Sequence, residues 1–300
     1  MGLPGVVAIA GIEGFQRGRE ERRGMALTTD EIMQLSLDLV EWDEVPADST
    51  IYVPGENIES ALVGIDLESP EVQLAEREGY DLVLAHHPAG ERARLDFPDV
   101  LNRQIEFMTD HGVPESQAED AVADLRERVE LGAHSANYRH DPSVAELLDQ
   151  PYMNIHLAPD EIGRRRFIDV AEGIGSESSV AEFVAALEEI PELAAAETDV
   201  EIRVGNGEHE LGEVAVHHAA GTNGGADVAR AYFENGVDTL LYIHVGAGDA
   251  RELREAYEEK NLVVTGHIAS DAIGLNALID ALEERGVECT PISGCSIGRA

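Results

Sequence analysis

Three short stretches of this 300-residue chain place imidazole and carboxylate groups where they could hold metal ions. "YDLVLAHHPAG" (residues 80 to 90) sets His86 beside His87 at the end of an apolar run. "NIHLAPD" separates His156 from Asp160 by four positions, and "TGHIASD" does the same for His267 and Asp271. Groups four apart share one face of a helix turn, roughly 6 Å apart along the axis, and so address neighbouring ions. Imidazole mixed with carboxylate suits Zn, Mn, Fe, Co or Ni better than Mg or Ca, which prefer all-oxygen shells. His86, His87, Asp160, His267 and Asp271 together offer three imidazoles and two carboxylates. That is too many for one ion with an open position, and a sensible number for two ions sharing a carboxylate and a water. The chemistry expected of such a pair is hydrolysis by a metal-bridging hydroxide.

Each residue also has a plainer reading. A strand-end histidine is commonly a hydrogen-bonding residue, Asp160 would serve as an N-cap, and Asp271 as a first-turn acid favoured by the helix dipole. A second pair, His217-His218 in "VAVHHAAGTNG", matches the first in type, and residue chemistry alone does not rank them. Adjacent strand residues point to opposite faces, so His86 and His87 share a pocket only if the strand ends there. Pro88 supplies that end: it donates no ladder hydrogen bond and biases His87 toward extended geometry. The two imidazoles are then expected on different ions of one pair.

The elements that must position these groups alternate. Thr28 or Thr29 caps a first helix in "TTDEIMQLSLDLVEWDEV". "IESALVGID" (residues 58 to 66) reads as a strand, "PEVQLAEREG" as a helix entered at Ser69-Pro70 and stopped at Gly79, and "YDLVLAHH" as a buried strand. This is a βαβ unit and favours a parallel sheet. Residues 91 to 150 read as mainly helical, and the second half repeats strand and helix. The expected class is α/β: two packed lobes, residues 25–150 and 151–300, with mainly parallel or mixed sheets and a dinuclear site in the cleft between them. Residues 1–24 read as a disordered extension, or as the product of a start placed too early, with Met25 the first residue. In open α/β sheets ligands gather beyond the carboxyl ends of strands, where all three motifs fall.

Composition narrows the classes. Sixty acidic residues against 21 basic ones give a formal charge of −39, which argues for a salt-rich cytoplasm and against unaided nucleic-acid or anionic-membrane binding. The one basic run is "GRRRF" (residues 163 to 167). No stretch of about 18 apolar residues predicts a membrane span. Cys289 and Cys295 lack zinc-site or framework spacing and read as ordinary thiols.

The same blocks resemble the NGG-interacting-factor-three family, also known as GTP cyclohydrolase I type-two homologues. "GIDLESPEVQLAEREGYDLVLAHHP" is similar to its N-terminal block, with Ile65-Asp66 and Ser69-Pro70 at the matching places. "IHLAPD" resembles its central element and "TGHIASD" its C-terminal one, in family order across residues 58 to 271. The resemblance implies a two-lobed α/β protein with a dinuclear metal centre in the cleft, assembled as a homohexamer. It implies His86, His87, Asp160, His267 and Asp271 as ligands, with Asp271 standing where the family more often has Glu. Two functions follow as expectations. The first is a metal-dependent hydrolase acting on a small molecule, a nucleotide such as GTP or a phosphoester. In it His156 transfers protons or supports a ligand, and Asn223 with the amides of Gly224 and Gly225 steadies an anionic group. The second is a non-catalytic, metal-stabilised scaffold for binding or regulation. His217-His218 reads as an extra substrate-facing pair or as the end of a strand.

Overall fold

The computed structural model describes residues 26–299; the extension expected over residues 1–24 and the start at Met25 lie outside the described residues. Helix α1 (Thr29–Asp38) is entered through a capping box, Thr28 Oγ1 accepting from Glu31 N while the Glu31 carboxylate accepts from Thr28 N. After β1 (Thr50–Val53) come β2 (Ser60–Gly64), α2 (Ser69–Glu78) and β3 (Leu82–Ala85). Helix α2 ends at Gly79, whose φ of 81° is the left-handed conformation a side chain resists. The helical stretch that follows is α3 (Glu91–Leu95), α4 (Phe97–Val100), α5 (Asn102–Asp110), α6 (Glu115–Ser135) and α7 (His140–Leu148). The remainder is β4 (Tyr152–Asn154), α8 (Leu157–Ile174), α9 (Val180–Leu187), α10 (Pro191–Ala194), β5 (Glu201–Val204), β6 (Val214–Val216), α11 (Gly225–Glu234), β7 (Thr239–Tyr242), α12 (Ala247–Ala256), β8 (Asn261–Val264), α13 (His267–Glu284) and β9 (Glu288–Ile292).

The chain is α/β, with one sheet ordered β1-β4-β3-β2-β9 and a second ordered β5-β8-β7-β6. β2 and β3 pair in parallel, as the βαβ reading requires. The antiparallel pairings are β1 with β4 and β5 with β8, each at a sheet edge. β4 and β9 belong to the first sheet, so sheet membership cuts across a division at residue 150. The chain leaves the first sheet after β4, builds the second, and returns for β9.

Two helices explain how the sheets meet. On one face of the first sheet, Leu62, Val83, Ala85 and Tyr152 pack with Val72 and Ala75 of α2 and Ala145 of α7. Its other face, Ala61, Val63, Leu82, Leu84 and Met153, packs on Ala158 of α8 and on Leu275, Leu278, Ile279 and Leu282 of α13. The second sheet uses the same two helices: Val216, Leu241 and Val263 pack with Phe167 and Ala171 of α8 and Ala269 and Ile273 of α13. Its far face is covered by α11, α12 and α6. α8 and α13 therefore lie between the sheets, which is why Ala269 to Asn276 is buried without an exposed face. The helices touch closely: a Cβ on Gly274 would meet Pro159 O at 1.9 Å.

Cys289 and Cys295 are unpaired thiols, and burial pushes both up to about 12, so neither is ionised at neutral pH. No helix among the described residues is long and apolar enough to cross a membrane. The arginines opening the basic run are engaged: Arg164 and Arg165, with Arg103, surround the buried Glu161 carboxylate.

Candidate metal centre

Seven of the eleven histidines follow the carboxyl ends of strands: His86 and His87 after β3, His156 after β4, His217 and His218 after β6, His244 after β7 and His267 after β8. All seven line or floor one region, because both sheets point their carboxyl ends at it. A cavity of about 350 Å³ opens there, walled by Phe97, the 217 to 223 loop, His244 and His267, with Asp160 and Asp271 at its base. The five ligands expected from the sequence are brought together. Asp271 Oδ2 lies 3.1 Å from His267 Nε2, 3.4 Å from His87 Nε2 and 3.7 Å from His86 Nε2. Asp160 Oδ1 is 3.1 Å from His86 Nε2.

Ligand atoms converge in three overlapping groups: His86, Asp160 and Asp271; His87, His267 and Asp271; and His86, His87 and His156. β3 ends at Ala85, and beyond it both imidazoles reach the Asp271 carboxylate.

The tautomers are set from behind. His86 Nδ1–H donates to Ile155 O at 3.1 Å, His87 Nδ1–H to Asp66 Oδ1 at 2.6 Å, and His156 Nδ1–H to Asp48 Oδ2 at 2.7 Å. A carbonyl or carboxylate only accepts, so in its neutral form each ring has its lone pair on Nε2, facing inward. Against its burial, Asp160 and Asp48 push His156 up to about 9, so that ring must shed a proton to take that form. Orienting a ligand through its other ring nitrogen is the usual support of a metal-binding histidine. Neither Asp48 nor Asp66 was a site residue from the sequence. Asp66 stands in the "GID" block, whereas Asp48 lies in a loop with no pattern to mark it.

The residues present fit a metal. His86 Nε2, Asp160 Oδ1, Asp271 Oδ2 and His218 Nε2 are buried with no hydrogen-bond partner among the described residues. Each such atom costs about 1–3 kcal/mol. A lone pair of His86 facing a carboxylate oxygen at 3.1 Å calls for a cation. Burial by itself raises both carboxyls, but the surrounding imidazoles outweigh it: His156 and His218 hold Asp160 below the usual carboxylate range, and His267 and His87 hold Asp271 well below it. Both are ionised at neutral pH. His244 is pushed down to about 4 by burial and by His267.

The expected anion cradle divides. Asn223 lines the cavity, while Gly224 and Gly225 are not among its lining residues. Gly225 N–H donates to Asn223 Oδ1 at 3.0 Å, which turns Asn223 Nδ2 to donate to His244 Nδ1 at 2.8 Å. That amide is therefore occupied, and Gly224 makes room instead for Val228, whose Cβ would lie 2.2 Å from a Cβ there. His217 and His218 are not simply the end of a strand: both line the cavity, and His218 Nε2 is 4.0 Å from Asp160 Oδ1.

One buried link ties the "HHP" turn to its support. Tyr52 OH accepts from Ala89 N at 2.9 Å and Gly90 N at 3.3 Å and donates to Asn154 Oδ1 at 2.7 Å, while Asn154 Nδ2 donates to Asp48 O and His86 O. Tyr52→Phe is expected to lower unfolding free energy by about 1–3 kcal/mol in a denaturant titration, since Asn154 Oδ1 loses its donor.

No protein-family model and no curated protein matches the sequence. Solved structures do. Reduced HcgD from Methanocaldococcus jannaschii (12% identity, TM-score 0.54, 90% of this chain and 99% of that one) and the protein ybgI, of unknown function (17%, 0.51, 89% and 98%), share the fold. A NIF3 superfamily protein from Sphaerobacter thermophilus is 47% identical, with a TM-score of 0.87 over 90% of this chain and 100% of its own. That identity, sustained along the whole relative, places the chain in the NIF3 superfamily, the NGG-interacting-factor-three family its motifs resemble.

Proposed function

We propose that this protein is a dinuclear metal-dependent hydrolase acting on a small molecule, a nucleotide such as GTP or a phosphoester. The observation that carries the reading is the set of unpartnered buried Nε2 and carboxylate atoms at the base of a cavity with open space above them. His86, Asp160 and Asp271 would hold one ion, and His87, His267 and Asp271 the other. When bound, such a pair supplies Lewis acidity and an activated water near neutral pH. The chain does the rest. Asp271 Oδ2, central to three imidazoles, would be the shared ligand. His156, fixed by Asp48, presents Nε2 beside Asp160 Oδ2 at 3.7 Å, where it either supports the ligand set or carries a proton. Asn223 and His244 on the cavity wall orient a polar substrate group.

The test is turnover of GTP and a phosphoester panel by protein loaded with Mn, Zn, Fe, Co or Ni. Activity that needs two equivalents of metal supports the reading; no turnover with any of them overturns it. A scaffold reading is favoured by one observation: the elements bearing the ligands contact both sheets. It requires that chelation loosen the structure without any catalytic loss to record.

The support carboxylates differ in burial, which gives a graded expectation. Asp48 is fully buried, whereas the Asp66 side chain is 62% exposed. Asp48→Asn is expected to weaken metal binding by about 10- to 100-fold, and Asp66→Asn by less, because water replaces an exposed partner readily. Competition with a chromogenic chelator measures both.

We also propose the family's homohexamer and a salt-rich cytoplasm as the setting. Light scattering should return six times 32.4 kDa. Thermal stability should rise with KCl as the −39 charge is screened.

A further inference from the structure

His218 is the residue whose surroundings the five-ligand site leaves unexplained. It leaves the second sheet after β6, is 4% exposed, and has an unpartnered Nε2. Asp160 Oδ1, also unpartnered, lies 4.0 Å away. That separation is too long for a hydrogen bond, which closes at about 3.2 Å. Two donors bonded to one tetrahedral ion at about 2.0–2.1 Å stand on the order of 3.4 Å apart, so the pair flanks a space that one ion would fill once the side chains close in by roughly half an ångström. Space has been kept for the ring. A Cβ on Gly163 of α8 would stand 3.1 Å from His218 Nε2 and 3.3 Å from its Cδ2, so a glycine there lets the imidazole approach the helix that carries Asp160. The Phe167 ring packs against it with centroids 6.0 Å apart.

We propose that His218 is a further ligand of the ion held by His86 and Asp160, an inference that rests on the two-ion reading above. That ion is then enclosed by side chains from the ends of both sheets. The ion at His87, His267 and Asp271 would lie on the cavity side and keep a position open to it, His267 being half-buried on the cavity wall. A closed shell is the mark of a structural site and an open one of a catalytic site, so the two ions are unequal in role and in retention.

The test uses the intact chain with Zn or Co(II) as probe, comparing wild type, His218→Ala, His218→Gln and His267→Ala. Bound metal is measured after graded chelation, Co(II) ligand-field absorption is recorded, and circular dichroism checks folding. Wild type should hold two ions, one resisting chelation. Both His218 variants should lose the resistant ion, its affinity falling by more than the about 100-fold typical of a supporting partner. His267→Ala should lose the labile ion and keep the resistant one. Two ions bound by both folded His218 variants with wild-type affinity and release would overturn the proposal and leave the dinuclear reading standing. A wild-type protein binding a single ion that the His218 variants lose would do the reverse.

Discussion

Replacing Asp271 with alanine is expected to strip the protein of both metal ions. The Oδ2 atom is the meeting point of the site, within 3.1 to 3.7 Å of the Nε2 atoms of His267, His87 and His86, and it belongs to both carboxylate-containing ligand groups. Removing it takes a ligand from each ion at once and leaves His87 and His267 without the carboxylate their Nε2 atoms face. The affinity loss should exceed about 100-fold for both equivalents, beyond what removing an orienting partner produces. Asp271→Glu keeps the carboxylate and restores the residue more frequent in the family, so it should retain two ions. Elemental analysis after dialysis reads both variants. Full metal content in Asp271→Ala would remove Asp271 from the site. The loss should also appear as stability: with free metal at 100 times Kd, wild type gains about 2.7 kcal/mol from binding and the alanine variant close to none.

Gly274→Ala is expected to be the most damaging single-methyl addition in the chain's centre. The new Cβ would lie 1.9 Å from Pro159 O, 2.4 Å from Pro159 C and 2.7 Å from Pro159 Cα. All three are backbone atoms, so no rotamer change relieves the clash. Alanine recovers about 1 kcal/mol of helix propensity over glycine, but overpacking a rigid contact costs about 1–3 kcal/mol and occasionally more. With the clash against main chain, a net loss of about 2 kcal/mol or more is expected in urea unfolding. Gly173, at the far end of α8, provides the control, since nothing lies within 4 Å of a Cβ there; Gly173→Ala should be neutral or stabilising by up to about 1 kcal/mol. Equal midpoints for Gly274→Ala and wild type would show that the two helices separate freely. Because α8 carries Asp160 and α13 carries His267 and Asp271, the same variant should bind metal more weakly.

The five candidate positions stand out in the sequence because each sits where a local pattern breaks: a proline after two histidines, or a strand running into a helix with polar groups four apart. The buried parallel strands were legible for the same reason, as short apolar runs closed by turns. Three short strands were not. β5 is largely exposed, β4 has three residues, and β9 contains Pro291, so none shows a burial period to read. Asp48 was invisible because its role depends on a 108-residue separation from His156 that only the fold closes. His218 could be named but not placed, since its neighbour Asp160 lies on another element and no spacing connects them.

The return of β9 to the first sheet bears on how the chain is made. β2 pairs on one side with β3, made soon after it, and on the other with Glu288–Ile292, made long after it. Until α13 emerges the face it covers is bare, and until β9 follows the first sheet has an open, apolar parallel edge. Such late, long-range closure is slow and prone to mispairing with other nascent chains. The site shares that timing. Its last ligands, His267 and Asp271, arrive on the helix immediately before β9, so a nascent chain acquires the full ligand set only as its first sheet becomes able to close.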